Sequence, residues 1–278
     1  MKRVGFACGK IILSGEYAVV FGYPGIATPM SLGIDVEWEE KTSGGMEIHL
    51  DEHSERDGAR EYIENIFASV GKPQGILKIR SNLPIGRGMG SSTALVIAIT
   101  RAILGEDSKS EAMKIEDTVN PGHSGLDFSV IWDAQPVLFR KGIPTEHIQL
   151  PKDLLNGAFL IDTGKPNETT PELVAWVKSR AKELDAPLKM IGSCTERLIA
   201  GEDFSTIIRN HHKAQMQLGV VPENTIRLIE KIEENNGAAK VLGAGGRTAG
   251  GGMVLVLGIN ADALEKIAAK HRMPFFPL

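Results

Sequence analysis

Ser81-Asn-Leu-Pro-Ile-Gly-Arg-Gly-Met-Gly-Ser-Ser-Thr-Ala94 is the stretch whose reading decides the fold of this chain. Glycines alternate at Gly86, Gly88 and Gly90, and hydroxyls follow at Ser91 and Ser92. From Thr93 to Leu104 the chain is apolar apart from Arg101 and reads as a helix. Glycine lets a backbone turn sharply and approach a ligand closely. A helix start offers unpaired N–H groups and the positive end of a dipole. The spacing therefore suits a phosphate socket, and it equally suits a bland glycine turn before a buried helix. Neither common nucleotide loop is present. A Walker A loop needs Gly, four residues and then Gly-Lys-Ser/Thr, and a dinucleotide fingerprint needs Gly-x-Gly-x-x-Gly. Upstream, Ile76–Ser81 reads as a strand, so the loop sits in a strand–loop–helix context.

Two further stretches invite chemistry. Near the N-terminus runs Ala7-Cys-Gly-Lys-Ile-Ile-Leu-Ser-Gly-Glu-Tyr-Ala-Val-Val-Phe-Gly-Tyr-Pro24. Val4–Leu13 reads as a strand broken at Gly9-Lys10, followed by a turn and a short helical piece. Lys10 lies between a glycine and an apolar run, an awkward place for a solvated lysine; a glycine-punctuated edge hairpin is the plainer alternative. Downstream, a helix over Glu111–Val119, capped by Ser108 or Ser110, ends near Glu116, and Asp127 follows eleven residues later across Asn120-Pro-Gly-His-Ser-Gly125. Such a turn lets two carboxylates converge, one to hold Mg²⁺ and one to take a hydroxyl proton. The plainer alternative is a solvated helix-end Glu and an Asp capping the next helix.

Pro84-x-Gly-x-Gly-x-Gly-Ser-Ser-x-Ala94 resembles the second motif of the GHMP small-molecule kinases, which include galactokinase, homoserine kinase, mevalonate kinase and phosphomevalonate kinase. The first motif of that family, Pro-Gly-Lys, an apolar run and Gly-Glu-His-Ala-Val-Val-x-Gly-x-Pro, is matched by Gly9 to Pro24. Cys8 replaces the usual proline, and Tyr17 replaces the histidine of mevalonate kinases; phosphomevalonate kinases often carry Tyr there. Glu116, Ser124, Gly125 and Asp127 fall on the family's Glu and Ser-Gly-x-Asp positions, whereas Asn120, Pro121 and His123 depart from it. The third motif begins as Gly243-Ala-Gly-Gly246 and then departs at Arg247-Thr-Ala. Arg247 is either a positive charge near the γ-phosphate or an exposed loop arginine.

The resemblance spans nearly the whole chain and is closest to the mevalonate kinase branch. It implies an α+β, two-domain GHMP kinase fold, with an N-terminal ATP-binding domain over about 1–152 and a C-terminal ferredoxin-like α/β domain over about 153–278. It implies transfer of the ATP γ-phosphoryl group to the 5-hydroxyl of mevalonate. Phosphomevalonate kinase, another GHMP kinase and a non-catalytic ATP-binding relative stay open as alternatives. Pro84, Gly86, Gly88, Met89, Gly90, Ser91, Ser92 and Thr93 would surround the ATP phosphates, and Ser92 with Glu116 would hold Mg²⁺. Asp127 would be the base and Lys10 its partner at the γ-phosphate. Glu16, Tyr17, Ser124, Gly125, Thr170, Gly245 and Gly246 would meet the substrate. Glu168 stands where many mevalonate kinases carry a basic residue.

Periodicity supplies the remaining frame. Ile34–Glu40 and Met46–Leu50 read as a hairpin about Ser43-Gly-Gly45, and Glu55–Val70 as a helix. Gln135–Arg140, Ile148–Leu150 and Ala158–Asp162 read as strands. Helices follow over 171–184, 188–200, 204–218 and 223–236, with His211-His212 on a polar face and Thr169 or Thr170 as a cap. Strands over Ala238–Leu242 and Met253–Leu257, a helix over Ala261–His271 and a tail close the chain. The 278 residues are 42% hydrophobic and 24% charged, as in ordinary globular proteins. The net charge of −4 argues against nucleic acid or an anionic membrane as partner. Two distant cysteines, Cys8 and Cys194, suit a reducing cytoplasm. The N-terminus lacks the apolar core of a signal peptide, and no apolar run reaches the about 18 residues that span a bilayer. The partner expected is a small molecule, and a homodimer is compatible with the sequence.

Overall fold

The computed structural model describes residues 2–52, 54 and 58–278. The chain divides into two compact units that are discontinuous in sequence. The first comprises Met1–Lys10, Pro29–Ile85 and Met89–Gln135; the second comprises Ile11–Thr28, Gly86–Gly88 and Pro136–Leu278. The units thus interleave along the chain, rather than succeeding one another at a single cut near residue 152.

Strand β1 is Lys2–Ser14, β2 Gly25–Glu40, β3 Met46–Leu50 and β4 Gly75–Ser81. Helices α1 (Ala59–Ser69), α2 (Ser91–Leu104), α3 (Lys109–Val119) and α4 (Leu126–Asp133) complete the first unit. β1 runs unbroken through Gly9-Lys10. Gly9 is required for packing rather than for a turn: a Cβ there would lie 2.4 Å from Leu83 Cδ1 and 3.0 Å from Met30 Sδ. The expected β2–β3 hairpin does not form. β4 pairs antiparallel with β2 (Ile34↔Ser81 to Glu40↔Gly75) and parallel with β3 (Met46↔Gly75 to Leu50↔Ile79). β4 alternates Leu77, Ile79 and Ser81 inward with Lys78 and Arg80 outward, as a strand with one buried face must. The first three residues expected in α1, 55–57, lie outside the described residues. The inward face of α1 brings Phe67 against Trp38 of β2, with ring centroids 5.5 Å apart. α2 is apolar nearly all round and is the buried centre of this unit, with Val96, Ile97, Ala98 and Ile99 all fully covered.

The second unit takes the end of β1, the 3₁₀ turn Ala18–Phe21 and the start of β2. β5 (Val137–Phe139) pairs with the start of β2 (Gly25↔Phe139) and with β6 (Glu146–His147). The strand expected over Ile148–Leu150 is instead β6, which ends at His147. Then come β7 (Phe159–Asp162), α5 (Thr170–Ser179), α6 (Asp185–Ile199), α7 (Phe204–Leu218), α8 (Glu223–Glu234), β8 (Ala238–Val241), β9 (Met253–Leu257), α9 (Ala261–His271) and β10 (Phe275–Pro277). The C-terminal stretch expected as a tail is therefore an edge strand, pairing Phe275↔Ile161 with β7. The four-stranded sheet has the order β10-β7-β9-β8 and is antiparallel throughout. Numbered within the sheet this is 4-1-3-2, the split βαβ pattern of ferredoxin-like folds. Its core joins Ile161, Val241, Val254 and Val256 to Leu228, Ile229 and Ile232 of α8 and Leu264 of α9. Among the described residues no helix is long and apolar enough to cross a membrane.

Candidate active site

The first unit gathers the acidic residues and most of the glycine loop. Met89 is buried, and its carbonyl accepts the Lys10 N–H at 3.0 Å, which seats the loop against β1. Gly90 has φ +81°, and a Cβ there would come 2.9 Å from Lys10 Cγ and 2.8 Å from Ile131 Cδ1. Only glycine tolerates both the backbone angle and the crowding. Gly90 also occupies the N-cap of α2 and has no side chain to cap it. The helix start that follows, Ser91-Ser92-Thr93, is thus shaped like an anion-binding terminus. α2 begins at Ser91, two residues earlier than the apolar run suggests.

Lys10 is 2% exposed, and its Nζ lies 3.2 Å from Asp127 Oδ2. Asp127 sits in the first turn of α4, after Gly125 at φ +95°, and its side chain is 36% exposed. The lysine is sealed and the carboxylate is open, so the pair presents an aimed acceptor to whatever binds. Glu116 is 1% exposed. Its Oε1 accepts from the Thr93 hydroxyl at 2.7 Å and its Oε2 from the Asn120 amide at 2.9 Å. Burial pushes its carboxyl above the usual range; those two hydrogen bonds oppose the shift and the charge of Asp127 adds to it. Ser92 Oγ donates to Asn120 Oδ1 at 2.9 Å and lies 2.5 Å from the Tyr62 hydroxyl. Asn120 thereby ties Ser92 to Glu116. Tyr62 is a member of this network that sequence reading missed, and burial raises its phenol well above the ordinary tyrosine range. Ser108 stands at the N-cap of α3, but its hydroxyl donates to the Gly105 carbonyl instead of capping. Ser124 Oγ accepts from Leu126 N at 3.2 Å, and His123 pairs with Asp117 at 2.8 Å.

The donor set at Ser92 and Glu116 suits Mg²⁺. Mg²⁺ takes hard oxygen ligands, one or two carboxylates plus water and phosphate, rather than a dedicated protein cage. Here one carboxylate and one hydroxyl share a bridging amide, and among the described residues no cluster of three metal-ligating side chains exists.

The second unit holds the other expected residues. Glu16, expected at the substrate, is 3% exposed and is sealed inside the protein. Lys240 Nζ donates to its Oε1, and His211 Nε2 lies 3.0 Å from its Oε2. Burial alone would raise the Glu16 carboxyl, yet Lys240 and His211 outweigh it and hold it at about 2. His211 and His212, read as a polar face, are 0% and 2% exposed. Burial and the Lys240 charge lower the His211 pKa, and the Glu16 carboxylate opposes them. Tyr17 has φ +64°, and its hydroxyl donates to the Ala244 carbonyl at the start of the third glycine motif. Burial first, then the charges of Glu16 and Glu168, raise the Tyr17 phenol far above its usual value, so it stays protonated. Gly246 N donates to the Val220 carbonyl at 3.0 Å, so this N–H is already used inside the protein. A Cβ on Gly245 would meet the same carbonyl at 2.2 Å, so its glycine is required by packing. Thr169, not Thr170, caps α5 in a capping box with Glu172, and Thr170 is exposed at the first helical position. Arg247 stacks its guanidinium over Trp176 at 4.3 Å, while Glu168 accepts from Arg247 N and the Thr248 hydroxyl. Arg247 is an exposed loop residue steadied by an aromatic face.

The GHMP kinases N-terminal domain model matches residues 58–126. The chain is similar to the mevalonate kinase of Thermococcus sibiricus, at 26% identity over 88% of this chain and 87% of that one. Its fold is similar to that of a mevalonate kinase from methicillin-resistant Staphylococcus aureus, at 25% identity and TM-score 0.71, covering 100% and 99% of the two chains. It is also similar in fold to a Streptococcus pneumoniae phosphomevalonate kinase solved with phosphomevalonate and AMPPNP, at 15% identity, TM-score 0.76 and 99% of both chains. Residues 58–126 thus match the N-terminal domain of the GHMP kinases, and the whole chain has the fold that these kinases share. Within that class its curated relatives are mevalonate kinases.

Proposed function

We propose that the chain phosphorylates the 5-hydroxyl of mevalonate with the γ-phosphoryl group of ATP. The observation that carries the reading is the Lys10–Asp127 pair at 3.2 Å, one side sealed and one side open, with Lys10 N bound to the loop that starts α2. Asp127 accepts the acceptor hydroxyl's proton and orients its oxygen for in-line attack. The Lys10 ammonium balances the Asp127 charge and the negative charge that grows on the transferring group. The backbone of Gly86–Thr93 and the start of α2 hold the nucleotide phosphates. Ser92 and Glu116 would hold Mg²⁺, which when bound neutralises the phosphate oxygens. Tyr17, Ser124, Gly125 and Thr170 contact the substrate, and Glu16 fixes the Tyr17 loop from beneath. The second unit carries the third glycine motif and the substrate contacts Tyr17 and Thr170, and the first carries most of the nucleotide loop. The enzyme works in the cytoplasm.

A second reading, phosphomevalonate as acceptor, is favoured by Tyr17, whose phenol stays neutral beside Glu16. A coupled ADP-release assay with Mg-ATP separates the two. Turnover with mevalonate and none with phosphomevalonate is expected. Turnover with phosphomevalonate alone transfers the assignment to the second reading, and no ADP with either acceptor refutes both.

A further inference from the structure

The phosphate loop contains one long side chain, Arg87, set between Gly86 and Gly88. These three residues group with the second unit, unlike the rest of the loop. Their backbone is wedged against the ends of two strands. Met253 N, opening β9, donates to the Arg87 carbonyl at 3.0 Å. A Cβ on Gly88 would lie 2.3 Å from the Leu242 carbonyl oxygen beyond β8, and one on Gly243 would lie 2.8 Å from Gly88 Cα. The second and third glycine motifs therefore touch backbone to backbone, a contact only glycines permit.

The Arg87 side chain adds a third anchor, at the end of β7. Its Nε lies 2.9 Å from Asp162 Oδ2 and 2.7 Å from Oδ1. The pair is shielded, at 16% and 22% side-chain exposure. Asp162 does not depend on the arginine for a partner, because its Oδ1 also accepts from Gly164 N at 2.9 Å. Arg87 Nη1 is buried and has no hydrogen-bond partner among the described residues. A buried donor left unpaired costs stability. The arginine is therefore a poor choice if stability were its purpose.

We propose that Arg87 is a positioning residue for the nucleotide. Its ion pair with Asp162 holds the loop apex, already wedged at Leu242–Gly243 and Met253, in the one conformation that presents the loop backbone to the ATP phosphates. Without it the tripeptide is held by backbone contacts alone, and ATP binding must order it. Preorganised loops lose affinity when the anchor is removed because the ligand then bears the ordering cost. This rests on the nucleotide role assigned above to Gly86–Thr93.

The test uses the full chain with three substitutions, Arg87→Met, Arg87→Lys and Asp162→Asn. ATP affinity is read directly by calorimetry, KM for ATP and for the acceptor by ADP release, and Tm by thermal unfolding. Arg87→Met is expected to weaken ATP binding about tenfold, in both Kd and KM, as a loosened positioning contact does. KM for the acceptor is expected to stay within about twofold, and Tm to hold or rise because the unpaired donor is gone. Arg87→Lys, which keeps the charge opposite Asp162, should recover part of the loss, and Asp162→Asn should fall between the two. Wild-type ATP affinity in Arg87→Met overturns the proposal. So does a fall in Tm with KM for ATP and for the acceptor rising together, which would mark a purely structural pair. Since calorimetry needs no acceptor, a wild-type chain that binds ATP but turns over nothing would refute the substrate assignment while leaving this test intact.

Discussion

Two buried lysines each meet a carboxylate in this chain, and the pairs differ in what lies on the far side. Lys10 meets Asp127 in the first unit, and Asp127 is open. Lys240 meets Glu16 in the second, where both side chains are sealed and His211 Nε2 lies 3.0 Å from the other carboxylate oxygen. The same pairing chemistry thus serves different ends. A carboxylate with a free face can accept a proton from a ligand. A carboxylate closed on every side can only fix the backbone that carries it, here Gly15–Tyr17 against the strand that leads to Gly243. Exposure separates the two pairs, and removing the charge in each should produce opposite phenotypes.

The largest effect is expected at the open pair. Asp127→Asn keeps an oxygen that can accept from Lys10 Nζ, so folding should survive. It removes the proton acceptor, and kcat should fall by about three decades, the range of a lost general base, with ATP affinity largely kept. Steady-state kinetics beside calorimetric ATP binding checks this. A kcat near the wild-type value would remove Asp127 from the chemistry and erase the distinction between the pairs.

The sealed pair should respond in stability. Lys240→Met leaves Glu16 buried with only His211 beside it, and breaking a buried pair from one side costs about 3–5 kcal/mol. Adding Glu16→Gln should restore part of that loss, because two neutral side chains need no counter-charge; a double-mutant cycle in denaturant measures the coupling. Additive losses would mean that Glu16 and Lys240 are not a coupled pair.

The difference between these pairs also explains what the sequence could convey. The strand–loop–helix segment was legible because its signals are local: alternating glycines, two hydroxyls and an apolar run lie next to one another. Lys10 stood out for the same reason, as a lysine inside an apolar strand. Asp127 and Glu116 were found through their spacing across one turn. By contrast, Glu16 finds Lys240 across 224 residues, and nothing near Glu16 announces it. Arg87 and Asp162 are 75 residues apart. The adjacent His211 and His212 looked like solvated polar residues because burial of an imidazole leaves no trace in periodicity. The β2–β3 hairpin failed for a related reason: a glycine turn fixes where the chain bends but not which strand, here β4, is inserted between the arms. Tyr62 was invisible as a partner of Ser92, although its place on the inward stripe of α1 was visible.

The smallest effect expected is a pH dependence confined to the sealed region. Burial, with His211 and Lys213 adding to it, depresses His212 to about 4, so the folded chain holds it neutral. The unfolded chain protonates it near the ordinary histidine value of about 6.5. Between those values the unfolded state binds more protons, so stability contributed by the neutral imidazole is complete above about 6.5 and is lost as pH falls toward 4. Glu16 extends the trend: its folded value of about 2 lies below the ordinary carboxylate range, so its contribution is present above about 4.5 and drains as pH falls through that range. His212→Gln should therefore flatten the denaturant midpoint between pH 6.5 and 4, by up to about 3 kcal/mol over the window, while leaving the loss below 4.5 in place. No flattening in His212→Gln would show that acid lability between pH 6.5 and 4 arises elsewhere than in this buried histidine of the second unit.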